Sequence, residues 1–272
     1  MIDDTTNSRL NHCDVGASAI IGSRPSQQDS YRFYRIVVPS RNPDDGREGA
    51  ISELFWAIAL ADGVGGAAAG DVASRLAVDA FIDIVRSRSD EWQQPALLHD
   101  AAYAGNKTIA RAASQHKAYA GMATTLVGVL LGGGVLHWIS VGDSHLYLVR
   151  QGKLHKLNKD HSMAAKIDRE CALGMISPEE AANAPFRNII LSCLSGDPIE
   201  IIDLPVEPWP LEVDDRLIVA SDGLNSLNRD DILRIALRSS SAKMCATSLT
   251  RAVSARRVRQ QDNATVVVAD FQ

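Results

Sequence analysis

Three apolar runs in this chain each end on an aspartate: AIALAD reaches Asp62, WISVGD reaches Asp143 and RLIVASD reaches Asp222. A fourth, Asp262, stands immediately before a closing apolar run, NATVVVADF. A carboxylate at the tip of a buried strand has no packing use, and the glycines after Asp62 offer a core no side chains. Antiparallel neighbours run in opposite directions, so the end of one strand and the start of another share a rim. The pattern therefore predicts strands whose tips gather four carboxylates at one edge of a core. Left uncompensated, such charges repel one another in a partly desolvated place. A divalent cation, or a pair of them, is the natural compensation.

Ligand type then selects the metal. The convergent groups are hard oxygen donors, with no nearby Cys or His pair of zinc spacing. That set suits Mg²⁺ or Mn²⁺, with water completing the coordination. Gly63 is free to turn its carbonyl toward the metal, and Gly65 and Gly66 permit close backbone approach. A single Asp-Gly is usually no more than a turn, but four aspartates at strand edges are not explained that way.

The remaining pattern supplies an α+β framework. SYRFYRIVV (30–38) alternates as a strand, and the polar loop PSRNPDDGREG separates it from the apolar LFWAIAL (54–60). A helix is predicted from Asp71 to Arg88, with Ala73, Leu76, Ala80, Phe81 and Ile84 on one stripe. Pro95 opens a second, alanine-rich helix through Gln115. Strands separated by the GGG and Gln151-Gly152 turns follow, then a mixed stretch (158–200), the strand before Asp222, helices over 229–258 and the closing strand. Separate blocks of strands and helices imply largely antiparallel pairing. No internal repeat or long linker divides the chain, so the expectation is a polar extension over 1–14 and a single domain over 15–272.

Composition excludes other classes. With 272 residues, 46% of them hydrophobic, the chain can bury a sizeable core, and a net charge of −5 gives no nucleic-acid footprint. Arg256, Arg257 and Arg259 cluster at the end of a predicted helix and read as a solvated patch. No apolar run approaches a membrane span, and the first residues lack the pattern of a secretory signal. The scattered Cys13, Cys171, Cys193 and Cys245 fit free thiols in a reducing cytoplasm.

These motifs together resemble the metal-dependent protein phosphatases of type 2C, in their bacterial form. RPSQQDS (24–30), ADGVGGAAAGDVAS (61–74), GMATT (121–125), VGDSH (141–145), ASDGL (220–224) and DNATVVV (262–268) follow that family's order. LNKDHS (157–162) and GMISPEEAANAPFRNII (174–190) resemble the flap region, whose candidate here spans 163–187. The resemblance implies a four-layer α-β-β-α sandwich, with two mostly antiparallel sheets flanked by helix pairs. It implies hydrolysis of phosphoserine and phosphothreonine in proteins by a water bridged between two metals. Asp62 would bridge the ions, with the Gly63 carbonyl on one and Asp222 and Asp262 on the other. Asp143 would help hold a third ion, Asp29 would orient the water, and Arg24 would grip the phosphate. Two or three Mn²⁺ or Mg²⁺ ions are thus implied. The implied setting is a cytoplasmic, monomeric signalling enzyme that opposes a serine/threonine kinase and uses neither nucleic acid nor membrane.

Some positions depart from the family pattern. Val64 stands where eukaryotic members have a histidine, Gln28 and Asp71 each replace a glutamate, and His145 replaces a usual arginine. A permanent charge would thereby become one that titrates near neutrality. Two rival readings remain to be weighed. Cys245 and Arg251 have the Cys-x5-Arg spacing of thiol phosphatases, but without a glycine in a segment that reads as helix. The other is a catalytically weak or inactive phosphoprotein-binding module that keeps the fold.

Overall fold

The computed structural model describes residues 13–39, 51–64, 69–187 and 189–271. The strands expected from the apolar pattern fall into two five-stranded antiparallel sheets. One orders β1 (Cys13–Ile20), β10 (Ala264–Phe271), β9 (Arg216–Ala220), β6 (His145–Arg150) and β7 (Lys153–Lys156). The other orders β2 (Asp29–Pro39), β3 (Ile51–Asp62), β4 (Leu126–Gly132), β5 (Val135–Val141) and β8 (Trp209–Pro210).

Near-continuous apolar strands follow from burial on both faces. On β3, Ile58 and Leu60 point into the layer between the sheets, where they join Leu146, Leu148, Leu217, Val219 and Val267. The intervening Ala57, Ala59 and Ala61 face the other way, against helices α1 (Gly70–Ser87) and α2 (Pro95–Gln115). Their small side chains let the helices lie close to the sheet. The sheet containing β9 and β10 is covered in the same manner: Ile218, Ala220, Val266 and Val268 pack beneath α5 (Arg229–Arg238) and α6 (Ala242–Ala255). The expected four-layer α-β-β-α sandwich is the observed architecture.

The buried face of α1 is broader than the expected stripe. Ala73 and Phe81 are buried as expected, but Ala77, Val78, Ile82 and Val85 complete the face while Leu76, Ala80 and Ile84 are half-buried. α1 meets both a sheet and α2, so one narrow stripe does not suffice. β1 begins at Cys13, two residues inside the stretch expected as an extension, and pairs with β10 from Cys13↔Phe271 to Ile20↔Ala264. Small and polar residues make this edge strand hard to see in sequence. Most of the polar loop before β3, together with Gly65 and Gly66, lies outside the described residues.

The flap candidate contains two short helices, α3 (Met163–Ala172) and α4 (Pro178–Asn183). Ser162 caps the first through the Ala165 N–H, and Ser177 and Glu180 form a reciprocal capping box on the second. Among the described residues no helix is long and apolar enough to cross a membrane.

Candidate metal centre

Pairing of β2 with β3 sets the centre, because their register places Asp29 directly opposite Asp62. Asp62 is the last residue of β3, and its backbone is held on both sides. Its N–H donates to Thr125 Oγ1 (3.0 Å), while its carbonyl accepts from the Thr125 N–H (2.9 Å) and from Thr124 Oγ1 (2.8 Å). The Thr125 hydroxyl also lies 2.8 Å from that of Ser144, beside Asp143. The threonine pair of GMATT is therefore a clamp joining two of the aspartate motifs. Gly63 follows with no room for a side chain: a Cβ there would come within 2.5 Å of the Gly70 carbonyl oxygen.

The other aspartates arrive from the facing sheet. Asp222 opens a 3-10 turn just beyond β9, and Asp262 lies two residues before β10. A Cβ on Gly223 would collide with the Asn263 carbonyl, so glycine is what lets these two segments meet. Asn263 then ties the Arg24 loop to the same rim. Its Oδ1 accepts from the Gln28 N–H (2.7 Å), and its Nδ2 donates to the carbonyls of Ile21 (2.8 Å) and Ser26 (3.1 Å). Buried Asp29 accepts from the Ser221 hydroxyl at 2.8 Å, and Ser221 Oγ accepts from the Thr265 N–H at 2.9 Å.

Electrostatics show that these carboxylates feel one another. Asp62 is pushed well above the usual carboxylate range, by burial first and then by Asp29, Asp222 and Asp143. Burial and the neighbouring Asp262 and Asp29 push Asp222 up to about 6. Burial, Asp222 and Asp160 push Asp143 up to about 7. Asp29 is raised by burial and by Asp262, against the hydrogen bonds it accepts. The sequence assigned no role to Asp160, Asn263, Ser221 or the two threonines, whose only signal was their place in the LNKDHS, DNATVVV, ASDGL and GMATT motifs.

An all-oxygen carboxylate set fits Mn²⁺ or Mg²⁺. Asp29 Oδ1 is buried without a hydrogen-bond partner, as a carboxylate facing an ionic or aqueous centre would be. Among the described residues no three His, Cys, Asp or Glu side chains are gathered closely enough to hold a metal ion as they stand. The aspartates instead form an open rim, and Arg24 lies across it. Arg24 Nη2 pairs with Asp262 Oδ2 at 2.5 Å, and its guanidinium also senses Asp222 and Asp62.

The expected titration of His145 near neutrality is corrected. His145 is buried in β6, where burial and the adjacent Lys156 push it down to about 3. Its Nδ1 accepts from Lys156 Nζ (2.8 Å), and its Nε2 lies 2.9 Å from Asn225 Oδ1. The positive charge here belongs to Lys156, which reaches Asp160 at 3.4 Å. The Cys245 and Arg251 pair also falls apart. Cys245 is buried within α6, its thiol pushed up to about 11 by burial, while Arg251 is exposed.

Comparison with known proteins agrees with this geometry. The protein phosphatase 2C family model matches residues 40–261. The serine/threonine protein phosphatase PstP of Mycobacterium tuberculosis is 36% identical over 241 residues, covering 88% of this chain and 44% of PstP. The chain thus spans under half the length of that relative. The serine/threonine phosphatase stp of Listeria welshimeri is 33% identical over 218 residues, covering 75% of this chain and 82% of stp. A crystal structure of the PstP catalytic domain in complex with two manganese ions superposes with a TM-score of 0.73 at 29% identity, covering 95% of this chain and 97% of that one. The chain belongs to the protein phosphatase 2C family.

Proposed function

We propose that this chain is a Mn²⁺- or Mg²⁺-dependent phosphatase that hydrolyses phosphoserine and phosphothreonine in proteins, with residues 15–272 forming its catalytic domain. The observation that carries the reading is the rim of mutually raised carboxylates, Asp29, Asp62, Asp143 and Asp222, with Arg24 across it. Asp62, Asp222, Asp262 and the Gly63 carbonyl would hold two ions, and Asp143 would contribute to a third. The manganese-bound PstP domain supports that assignment. Divalent ions in such a site neutralise phosphate charge and make water acidic enough to attack at neutral pH.

The protein's own residues do the rest. The threonine clamp holds Asp62 at a fixed place, and Asp29 presents an unpartnered oxygen able to orient or take a proton from water. Arg24 is half-exposed and, among the described residues, paired with one carboxylate, that of Asp262, so its guanidinium is available to grip a phosphate through paired N–H groups. Val64 supplies no proton to the departing serine or threonine oxygen, which leaves that step to water.

The test is hydrolysis of an aryl phosphate and of phosphoserine peptides with and without Mn²⁺. Turnover that requires the ion and stops reversibly with EDTA supports the reading. Binding of phosphopeptides without any turnover in saturating Mn²⁺ would replace it with a phosphoprotein-binding module.

A further inference from the structure

A second feature of the rim lies beside Arg24. Ser23, Arg24, Arg259, Gln260 and Gln261 line a cleft of about 380 Å³. The cleft is built from two segments laced together: the Ser23 N–H donates to the Gln261 carbonyl (2.8 Å), and the Gln261 N–H donates to Ser23 Oγ (3.0 Å). One wall therefore continues directly into Asp262, and the other into the Arg24 loop. The cleft and the metal rim share Arg24.

The charge in this cleft stands out against its surroundings. The chain carries a net charge of −5, yet two arginines line this one opening. Arg24 is engaged by Asp262, and Arg256, nearby in sequence, is engaged by Asp231. Arg259 is exposed and has no carboxylate partner among the described residues. A cation left unpaired in a cleft whose other walls are glutamines and a serine has donors available and nothing to neutralise them. Of the three arginines that composition alone reads as a solvated patch, Arg259 thus lines a cleft adjoining the candidate centre.

We propose that this cleft is an anion subsite, in which Arg259 receives a negatively charged group flanking the phosphoserine or phosphothreonine of the substrate. The flanking group is an acidic side chain or a second phosphate; both offer the oxygens that a guanidinium binds. The subsite rests on the phosphatase reading of the adjacent rim. Arg259 here sets specificity and takes no part in bond breaking.

The experiment uses three phosphoserine peptides that differ at one position, about three residues from the phosphoserine. That position holds alanine, glutamate or a second phosphoserine, and each set is made with the change on either side. The readout is the ratio of kcat/KM for an anionic peptide to that for the alanine peptide, within wild type, Arg259→Ala, Arg259→Lys and Arg259→Glu. Anisotropy binding of the matching non-hydrolysable phosphonate peptides supplies the same ratio without turnover. Wild type is expected to favour an anionic flank by about fivefold, as a partly exposed ion pair allows. Arg259→Ala should abolish the preference, Arg259→Lys should keep part of it, Arg259→Glu should invert it, and added salt should shrink it. A preference limited to the second phosphoserine would identify phosphate as the ligand, and one shared by glutamate would include carboxylates. An equal ratio in wild type and Arg259→Ala, in either assay, overturns the subsite. If no peptide is hydrolysed but the phosphonate preference depends on Arg259, the phosphatase reading falls and the subsite stands.

Discussion

The Arg24 guanidinium and the Asp262 carboxylate, 238 positions apart in sequence, meet at 2.5 Å across the rim of the centre. Both side chains are over a third exposed, so the pair adds little to stability and is readily exchanged. The residue implied as a phosphate clamp and the residue implied as a metal ligand thus hold each other. Arg24→Ala should lower kcat/KM on an aryl phosphate by about ten- to a hundredfold, the cost of a lost charge-assisted contact. It should leave Mn²⁺ affinity equal or tighter, because Asp262 loses its competitor. Titration calorimetry with Mn²⁺ checks the second part, and weakened binding would show that Arg24 supports the metal site instead.

Asp62→Asn removes one charge from the middle of the carboxylate cluster. Activity in saturating Mn²⁺ should fall by about a thousandfold or more, since Asp62 is the proposed shared ligand of the ions. The metal-free variant should melt higher than metal-free wild type, because burial and three neighbouring aspartates already disfavour the ionised Asp62. A lower melting temperature in the absence of metal would contradict the repulsion described for the rim.

Thr125→Val keeps the shape of the side chain but leaves the Asp62 N–H without its acceptor. The variant should lose about 1–3 kcal/mol in urea unfolding, the cost of an orphaned buried donor. Activity should fall while Mn²⁺ still binds, as Asp62 is held less firmly. Unchanged stability would mean that the clamp contributes nothing.

The raised carboxylates give a defined pH response. Asp222 lies near 6 and Asp143 near 7 in the folded protein, against an ordinary value of 3.8. Between about pH 4 and 7 the metal-free native state retains protons that the unfolded chain releases, so its stability should fall as pH rises through that window. On the proposed assignment Mn²⁺ binds these carboxylates in their ionised form, so the rise in melting temperature that it causes should grow across the same window. Melting curves at pH 5, 6 and 7, with and without Mn²⁺, test both slopes.

Cys245→Ser should leave aryl phosphate turnover within about twofold of wild type, because a thiol raised to about 11 within a helix is a poor nucleophile. EDTA should stop turnover in both proteins. Loss of activity in a folded Cys245→Ser protein would restore the thiol reading.

The sequence alone marked the apolar core strands, the long helices and the aspartates at the strand tips, because burial on two faces leaves an unbroken apolar signature and a carboxylate interrupts it plainly at Asp62, Asp143 and Asp222. It also marked the threonines and Asn263 without revealing their work, which is to bind backbone groups far away in the chain. What required the tertiary structure was every property set by neighbours distant in sequence. His145 was expected to titrate near neutrality, but its protonation depends on burial and on Lys156 across the β6–β7 pairing, which the motif GDSH does not contain. The weakly apolar β1 is a strand because β10 lies beside it, not because its own pattern demands one. Arg24 and Asp262 could each be assigned a role from a local motif, but their contact arises only when β1 pairs with β10, Ile20 opposite Ala264, and so brings opposite ends of the chain to one rim. Local pattern records whether a residue is buried; the charges and donors that surround it are fixed by the packing of the whole chain.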